Sequence, residues 1–348
     1  MPLQFGVTVP FFPFELTLDL TLRAERAGLD SVLVPDHLVG TRSREALEAW
    51  SLLSVLAMKT SRVRLASAVT DPFRRHVAVL AQTAATVDVV SHGRLTLGIG
   101  AGEAMNLLPY GIEIVRPVER LRETVWLLKK LWTEEEVQAR GKFYRLIGAS
   151  VRPKPFQKPH PPVWIAANSP RSLRVAGELG DGWIPFLLTP EQFRDDLNYI
   201  KEVASSLNRS LDSFEPCLNI PIVLDVDGKR AVRAGSSLAK IYLAMKPKEL
   251  EKLGFGTYAR WDLDWSKHVH TAEGDRFLAD AAEKIPQEAV DLVTILGKPD
   301  DAIDKIEDFL RAGAKHIIAI PLGDAETIKR TLGHFSREVA GYFRDKPA

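Results

Sequence analysis

Residues 93–106 carry the clearest chemical signal in the chain: an apolar run, alternating glycines and then a carboxylate. The apolar run covers residues 95–99, and Gly100, Gly102 and Glu103 follow it. Glycines at the end of a strand let the backbone approach a flat or phosphorylated ligand closely, because no Cβ intervenes. A carboxylate at that edge can donate or accept a proton. The stretch therefore predicts a ligand-binding strand end with Glu103 as an acid or base.

A dinucleotide-binding fingerprint, G-x-G-x-x-G, is the competing interpretation of these glycines. It needs a third glycine where this chain has Glu103, and it needs an amphipathic helix immediately afterwards. The residues that follow, Leu107-Leu-Pro-Tyr-Gly-Ile112, are instead typical of a loop. The sequence therefore favours a strand end of a different kind.

Two earlier apolar runs also end in residues that could take part in chemistry. The second predicted strand is followed by Asp36 and His37, which would put an imidazole beside a carboxylate. Such a pair can transfer protons or simply make a structural hydrogen bond. The third predicted strand ends in small and hydroxyl residues, among them Ser67, Ala68 and Thr70.

A later apolar run leads directly into a helix start. It ends in Ala166, Ala167 and Asn168, and Ser169 and Pro170 follow. Serine is a favoured N-cap residue and proline a favoured first helical residue. A helix N-terminus fronted by small residues can bind phosphate, although an ordinary capped helix has the same sequence pattern.

The chain alternates almost throughout between short apolar runs and amphipathic helical segments. Eight runs are predicted as strands: Phe5–Val9, Ser31–Val34, Val63–Ala66, Leu95–Gly98, Val163–Ala167, Gly182–Pro185, Cys217–Leu224 and His316–Ile320. Apolar strands separated by helices indicate a parallel sheet covered by helices. Eight such units predict an α/β fold, a (β/α)8 TIM barrel, with an open doubly wound sheet as the alternative. In a barrel the candidate residues would share one rim.

We expect one domain over residues 1–348, with insertions after the fourth and seventh strands. The first insertion, about residues 132–160, contains a predicted hairpin and a proline-rich extended segment. The second, about residues 225–298, is too long for a single βα unit. It has a helix around residues 231–245 and then a loop with Trp261, Trp265, His268 and His270. This insertion is interpreted as a lid or substrate wall, or as an oligomer contact.

Composition argues against several classes of partner. Lys and Arg number 46 against 45 Asp and Glu, a net charge of +1, so nucleic acid is not an expected partner. No signal peptide or membrane-spanning run is apparent. The single cysteine, Cys217, lies in an apolar run, excludes an intramolecular disulfide and fits a reducing cytoplasm. We therefore expect a cytoplasmic protein that acts on a small molecule.

Metal binding is not expected from the sequence. His268 and His270 form the one close histidine pair in the chain. No spacing of carboxylates or cysteines around them matches a known zinc or iron motif.

Several motifs, in the same order along nearly the whole chain, resemble the luciferase-like family. They are Asp36-His37 and residues 70–82, 93–106, 176–183 and 297–301. Within that family, Gly-Glu-Ala-x-Asn at residues 102–106 and the Asp-His pair resemble the branch that uses the deazaflavin coenzyme F420. That branch includes methylenetetrahydromethanopterin reductase, F420-dependent glucose-6-phosphate and secondary-alcohol dehydrogenases, and phthiodiolone ketoreductase.

The resemblance implies an F420 molecule with its ring deep in the barrel and its phosphate tail near Asn168, Ser169 and Pro170. Asp36 would contact the ring or its ribityl chain. The residues that the resemblance implies for cofactor binding are Asp36, Ser67, Ala68, Thr70, Gly102, Glu103, Asn106, Ala166, Ala167, Asn168, Ser169 and Pro170. It also implies a non-prolyl cis peptide between Ser67 and Ala68, and a homodimer.

The chemistry implied by F420 is hydride transfer to or from a carbon of a small organic substrate. That substrate would be an alcohol or ketone, or a methylene-tetrahydropterin. His37 and Glu103 occupy the positions of the proposed base and acid of the sugar dehydrogenase, so they are the expected catalytic residues. The tryptophan of that enzyme is absent after His37, where this chain has Leu38-Val-Gly40, so the substrate is not implied. An FMN-dependent monooxygenase and a flavin-binding barrel without catalysis are the alternatives.

Overall fold

The computed structural model describes residues 3–40 and 44–345, so both ends of the expected 1–348 domain lie outside these ranges. Within them the strands are β1 (Gln4–Thr8), β2 (Ser31–Val34), β3 (Arg64–Ser67), β4 (Leu95–Ile99), β5 (Val137–Arg140), β6 (Arg145–Ala149), β7 (Val163–Ile165), β8 (Gly182–Trp183), β9 (Glu215–Leu224), β10 (Ile295–Gly297) and β11 (His316–Pro321).

Helices connect and cover these strands. They are α1 (Phe14–Arg26), α2 (Ala49–Lys59), α3 (Val77–Val90), α4 (Pro117–Thr133), α5 (Pro170–Leu179), α6 (Pro190–Ser206), α7 (Gly228–Ala244), α8 (Pro247–Lys252), α9 (Ala272–Glu283), α10 (Gln287–Val293), α11 (Pro299–Arg311), α12 (Ala325–His334) and α13 (Ala340–Asp345). None of the helices in the described ranges combines the length and hydrophobicity needed to cross a membrane.

Eight of the strands close into a parallel barrel. Their order around the barrel is β1, β2, β3, β4, β7, β8, β9 and β11, and β11 pairs with β1 to complete the circle. The short strand β10 pairs in parallel with the carboxyl-terminal end of β9. The predicted (β/α)8 barrel is therefore confirmed, and the open doubly wound sheet is excluded.

Two different sets of strand side chains fill the barrel interior and cover its outer face. Side chains alternate across each strand, so one set points inward and forms a compact cluster: Leu33, Ala66, Trp164, Ile184, Cys217 and Ile318. The other set packs against the apolar faces of the helices. In α11, for example, Ala302, Ile306 and Phe309 recur at helical spacing and are fully buried.

A buried polar network lies at the foot of the barrel, where the strands begin. Ser31, Arg64, Glu215 and His316 are each the first residue of a barrel strand. His316 bonds to Ser31 Oγ through Nε2 (2.8 Å) and to Glu215 Oε1 through Nδ1 (2.7 Å). Arg64 Nη1 donates to Glu215 Oε2 at 2.7 Å. The network ties four strands together at the end of the barrel opposite the predicted site.

The two insertions occupy the predicted places, after the fourth and seventh barrel strands. The first contains the antiparallel hairpin β5–β6. The second contains α7 to α10, and its apolar residues form a separate cluster that includes Leu243, Met245 and Leu278. Leu187 and Leu322, which follow strands β8 and β11, join this cluster. The second insertion therefore packs over the carboxyl-terminal rim of the barrel.

Candidate active site

A cavity of about 440 Å³ opens at the carboxyl-terminal rim of the barrel. Eleven of the residues predicted from the sequence line it: Asp36, His37, Ala68, Thr70, Gly102, Glu103, Asn106, Ala166, Ala167, Asn168 and Ser169. They come from the ends of β2, β3, β4 and β7. Because parallel strands end at the same rim, the fold itself brings these residues together.

Ser67 and Pro170 do not line the cavity, contrary to expectation. Ser67 is fully buried and faces β4, where its hydroxyl donates to the Gly98 carbonyl (2.9 Å) and accepts from the Gly98 amide (3.1 Å). Neighbouring residues of a strand point to opposite faces, so Ala68 faces the cavity and Ser67 does not. Pro170 is exposed as the first residue of α5.

The non-prolyl cis peptide lies one residue later than predicted. It joins Ala68 and Val69 rather than Ser67 and Ala68. Ser67 is still paired with Val34 of β2, and the Ala68 amide donates to the Val34 carbonyl at 2.8 Å. Ser67 and the Ala68 amide are therefore still hydrogen-bonded in the sheet, and the regular pairing of β3 with β2 ends after Ala68.

Asn106 holds His37 and Glu103 together at the cavity wall. Its Oδ1 accepts the Leu38 amide at 2.8 Å, and its Nδ2 donates to Glu103 Oε2 at 3.0 Å. The same Nδ2 lies 3.4 Å from His37 Nδ1, and the His37 ring stacks on Phe11 with centroids 5.6 Å apart. His37 Nε2 is 3.8 Å from Glu103 Oε2. The imidazole and the carboxylate thus share one orienting amide.

The orientation of the Asn106 amide indicates which ring nitrogen of His37 carries the proton. The Leu38 amide must meet an oxygen, so Asn106 Nδ2 is the atom that faces His37 Nδ1. An N–H donor opposite Nδ1 favours the neutral tautomer that carries its proton on Nε2. That proton then lies on the side of the ring that faces Glu103.

Asp36 is engaged by two arginines rather than free in the cavity. Arg74 Nη2 lies 3.1 Å and Arg75 Nη1 2.8 Å from its Oδ2, and the side chain of Asp36 is 1% exposed. Arg74 also pairs with Asp71 and donates to the Asp36 carbonyl at 2.6 Å. These contacts tie the loop after β3 to the end of β2. Sequence reasoning overlooked Arg74, which lines the cavity beside Asp36.

The start of α5 is a capped helix N-terminus at the edge of the cavity. The Ser169 hydroxyl accepts from the Ser172 amide, and Ser172 Oγ accepts from the Ser169 amide at 3.1 Å, a capping box. Asn168 Nδ2 donates to the Phe186 carbonyl at 2.7 Å and its Oδ1 accepts from the Phe186 amide at 3.2 Å. Asn168 thus fixes the backbone beyond β8.

Polar side chains outside the predicted set of site residues also face the cavity. Thr8, Asn219 and Trp265 line it together with Thr70. A side-chain polar atom of each is buried and has no hydrogen-bond partner within residues 3–40 and 44–345. Two of these residues could have been found, because Thr8 and Asn219 are polar interruptions of apolar strands. Trp265 lies in a loop whose position depends on the fold of the second insertion.

The second insertion forms the outer wall of the cavity. Trp265 is held there by two backbone bonds: its carbonyl accepts from the Ala104 amide (2.8 Å) and its amide donates to the Met245 carbonyl (3.2 Å). The Lys246 Nζ lies 5.7 Å from the centre of the Trp265 ring and 5.9 Å from that of Phe186. The insertion therefore supplies an aromatic wall with a cation on it, as the lid or wall interpretation predicts.

Comparison with known proteins supports this picture. Residues 4–316 match the model of a family described as luciferase-like monooxygenase. The F420-dependent glucose-6-phosphate dehydrogenase of Amycolatopsis mediterranei is 31% identical, with 94% of each chain covered. The 5,10-methylenetetrahydromethanopterin reductase of Archaeoglobus fulgidus is 28% identical, with 92% of this chain and 93% of the reductase covered.

A solved structure shares the fold over almost the whole chain. It is an F420-dependent secondary alcohol dehydrogenase in complex with an F420–acetone adduct, with a TM-score of 0.83 and 21% identity. The alignment covers 98% of this chain and 99% of that one. The closed barrel, the strand-end cavity and the family match over residues 4–316 together establish that the chain belongs to the luciferase-like monooxygenase family.

Proposed function

We propose that the protein is an oxidoreductase that uses coenzyme F420 to transfer a hydride to or from a small organic substrate. The observation that carries this proposal is the grouping of His37 and Glu103 on Asn106 at the cavity wall, 3.8 Å apart. The relatives named above, a dehydrogenase and a reductase, act with F420 or on a tetrahydromethanopterin. The substrate class is an alcohol or ketone, or a methylene-tetrahydropterin.

The cavity suits a flat deazaflavin ring with polar edges. Four buried polar atoms, on Thr8, Thr70, Asn219 and Trp265, face it without a partner in the described residues. Buried polar atoms are rarely left unpaired, so a ligand with hydrogen-bonding edges is expected there. Gly102 has a φ of +90°, and a Cβ there would approach Leu107 and Phe73 at 3.0–3.2 Å, so both the backbone conformation and the packing behind the cavity wall require glycine. When bound, F420 supplies or accepts the hydride.

His37 is proposed to move the proton on the substrate oxygen. Asn106 favours the tautomer with the proton on Nε2, and the His37 side chain is 16% exposed. A neutral imidazole with Nε2–H can donate a hydrogen bond to a carbonyl oxygen as that oxygen gains negative charge, and an imidazolium can transfer the Nε2 proton and return to the neutral form. In the reverse reaction, His37 Nε2 must be free of its proton to accept the proton of the alcohol.

Glu103 is proposed as the second proton-carrying group. Its Oε2 accepts from Asn106 Nδ2 and lies beside His37 Nε2. A carboxylate in this place stabilises the imidazole orientation, and Glu103 in its protonated form can return a proton to His37 after His37 has given one away. Asn106 acts through both residues and is therefore proposed as a positioning residue.

The start of α5 is proposed to hold the phosphate tail of the cofactor. Ser169 and Ser172 line the cavity at a helix N-terminus, where backbone amides and the helix dipole favour an anion. Asn168 holds the adjoining backbone in place through Phe186. Asp36 is proposed to act near the cofactor by fixing Arg74 at the cavity wall, since its own carboxylate is already paired.

We further propose that the chain is a single barrel domain that forms a cytoplasmic homodimer. Val55, Met58 and Val79 are apolar residues of α2 and α3 with exposures of 39%, 71% and 52%. Val55 and Met58 share one face of α2, and α2 packs beside α3. A patch of this kind favours a twofold contact with a second copy of the chain.

A turnover assay tests the proposed function. Reduced F420 would be mixed with ketones and a methenyl- or methylene-pterin, and oxidised F420 with alcohols, and the cofactor absorbance followed. On a substrate so identified, His37→Ala and Glu103→Gln are each expected to slow turnover roughly 10²–10⁴-fold while cofactor affinity stays within a few-fold. Near-wild-type turnover in both variants would refute the proton roles. Oxygen-dependent turnover with reduced FMN instead would indicate a monooxygenase.

A further inference from the structure

A second polar cluster lies outside the cavity, in the insertion after β9. It consists of His268 and His270, on the loop before α9, and Asp275 in the first turn of that helix. One nitrogen or oxygen atom from each of the three residues lies within 4.8 Å of the others. Asp275 Oδ1 is 3.7 Å from His268 Nε2 and 2.7 Å from His270 Nδ1.

The two imidazoles are buried and incompletely bonded. The side chains of His268 and His270 are 4% and 6% exposed. The Nε2 atom of each has no hydrogen-bond partner in the described part of the chain, and 3.7 Å to Asp275 is beyond hydrogen-bond distance. A buried imidazole nitrogen without a partner is unfavourable, and it is a good ligand for a transition metal.

We propose that His268, His270 and Asp275 bind a divalent transition-metal ion of the Zn²⁺ class. Two imidazoles and one carboxylate are a donor set for such ions, whereas Mg²⁺ and Ca²⁺ prefer oxygen ligands. With bonds of about 2.0–2.1 Å, tetrahedral ligand atoms lie about 3.3 Å apart. Asp275 Oδ1 lies 3.7 Å from the unpartnered Nε2 of His268 and 2.7 Å from His270 Nδ1. His268 would therefore bind the ion through Nε2, and His270 through Nδ1 in place of its hydrogen bond to Asp275. A fourth position is left for water.

The foot of the barrel offers a useful contrast, because both ring nitrogens of His316 are already bonded there, to Ser31 and Glu215.

Arg44 is the group that competes with a metal ion for this cluster. Its guanidinium pairs with Asp275 Oδ2, the oxygen that does not face the histidines. A cation so close to Asp275 weakens the attraction of the carboxylate for an ion. The site is therefore expected to bind more tightly when Arg44 is replaced by a neutral residue.

A bound ion would stabilise the outer wall of the active-site cavity. Asp264, Trp265 and Ser266 line that cavity and directly precede His268, whose amide donates to the Asp264 carbonyl at 2.9 Å. An ion shared by His268, His270 and Asp275 would join this wall segment to α9. No metal is expected from spacing along the chain alone, whereas the proposal rests on the turn into α9, which brings Asp275 to the histidines.

Metal titrations of the purified, chelator-treated protein test this site. Zn²⁺ binding would be followed by calorimetry and Co²⁺ binding by visible absorption, with Mg²⁺ as a comparison. We expect one Zn²⁺ ion per chain and a tetrahedral Co²⁺ spectrum. His268→Gln and His270→Gln are expected to weaken binding roughly a hundredfold or more. His334→Gln is the matched control, because His334 pairs with Glu338 on the surface without a second histidine, and it should bind as the wild type does.

Arg44→Asn provides a test that does not remove a ligand. Asparagine tolerates the left-handed backbone of this position, where φ is 59°, so the fold should be retained. This variant is expected to bind Zn²⁺ more tightly than the wild type. The proposal would be overturned if the wild type did not bind Zn²⁺ stoichiometrically, or if both histidine variants bound Zn²⁺ as tightly as the wild type. If the histidine variants fail to fold by circular dichroism, unchanged affinity of Arg44→Asn would overturn it instead.

Discussion

At the cavity, the hydrogen bonds and ion pairs of each side chain determine which of its atoms remain available to a ligand. His37 receives the Asn106 amide on one nitrogen and so presents the other beside Glu103. Asp36, by contrast, has its charge taken up by Arg74 and Arg75. Two adjacent residues of one motif therefore differ in their proposed tasks. His37 is proposed to take part in proton transfer, and Asp36 is proposed to hold the rim through the two arginines.

Asn106→Asp tests the orienting role of the amide. Aspartate keeps an acceptor for the Leu38 amide but removes the N–H donor that faces His37 and Glu103. We expect turnover to fall roughly tenfold to a hundredfold, less than for loss of His37 itself, and thermal stability to fall as well, because the new carboxylate faces that of Glu103. Steady-state kinetics and a melting curve measure both effects. Wild-type turnover would show that Asn106 does not orient the pair.

Elements at the two ends of the barrel are expected to have different tasks. The capped start of α5 lies at the rim. The network of Glu215, His316 and Arg64 closes the foot. Each can be tested separately, because the first is expected to affect ligand binding and the second only stability.

Ser169→Ala tests whether the start of α5 also binds the cofactor. Loss of an N-cap hydroxyl is expected to lower the free energy of unfolding by about 1 kcal/mol. Thr189→Ala is the matched control, since Thr189 forms the same capping box with Gln192 at the start of α6. Urea denaturation should show similar losses for both. Only Ser169→Ala should weaken F420 binding, and equal affinity in the two variants would exclude a phosphate contact at Ser169.

Glu215 is expected to make the barrel sensitive to acid. Burial would raise the pKa of Glu215, but the hydrogen bond from His316 and the charge of Arg64 lower it to about 2 from 4.5. The folded state therefore binds this proton less readily than the unfolded chain. Its stabilising contribution is complete above about pH 4.5 and is lost as the pH falls towards about 2.

Glu215→Gln measures that contribution. We expect a loss of about 3 kcal/mol in the free energy of unfolding at neutral pH, and a shallower decline of stability between pH 5 and pH 3. Glu202→Gln, at an exposed position of α6, controls for the loss of a negative charge. Urea denaturation across this pH range gives the result. An unchanged acid dependence in Glu215→Gln would contradict the account of the network.

The whole molecule was largely predictable because a parallel barrel repeats one simple pattern. Strands such as β2 and β4 are buried along their whole length and mostly apolar, so their positions are evident from composition. Their ends must then meet at one rim. The direction in which each residue faces was harder to predict, as Ser67 shows: the family resemblance implied a cofactor contact, but the alternation of the strand turns its hydroxyl towards β4.

The outer wall of the cavity could not be predicted in the same way. The contribution of Trp265 and Lys246 depends on how the second insertion folds over the rim, which no local pattern encodes. Similarly, Asp275 reaches His268 and His270 only through the turn into α9. Long-range packing of irregular segments determines these contacts, whereas local periodicity determines the strands.

The proposed dimer is tested by charge placed on the apolar patch of α2. The double variant Val55→Glu, Met58→Glu should be monomeric by light scattering at micromolar concentration, while the wild type is a dimer. Ile147→Glu is the control, because Ile147 is 67% exposed on the β6 strand, outside α2 and α3. A monomeric wild type would refute the dimer, and a dimeric double variant would place the interface elsewhere.

A comparison of F420 and FMN binding tests the central claim most directly. Each oxidised cofactor would be titrated into the purified protein and binding followed by fluorescence, with the other cofactor then added as competitor. The account predicts that F420 binds at micromolar concentration or below, and that FMN binds at least about tenfold more weakly, a difference of about 1.4 kcal/mol. Tight binding of FMN with no binding of F420 would contradict it.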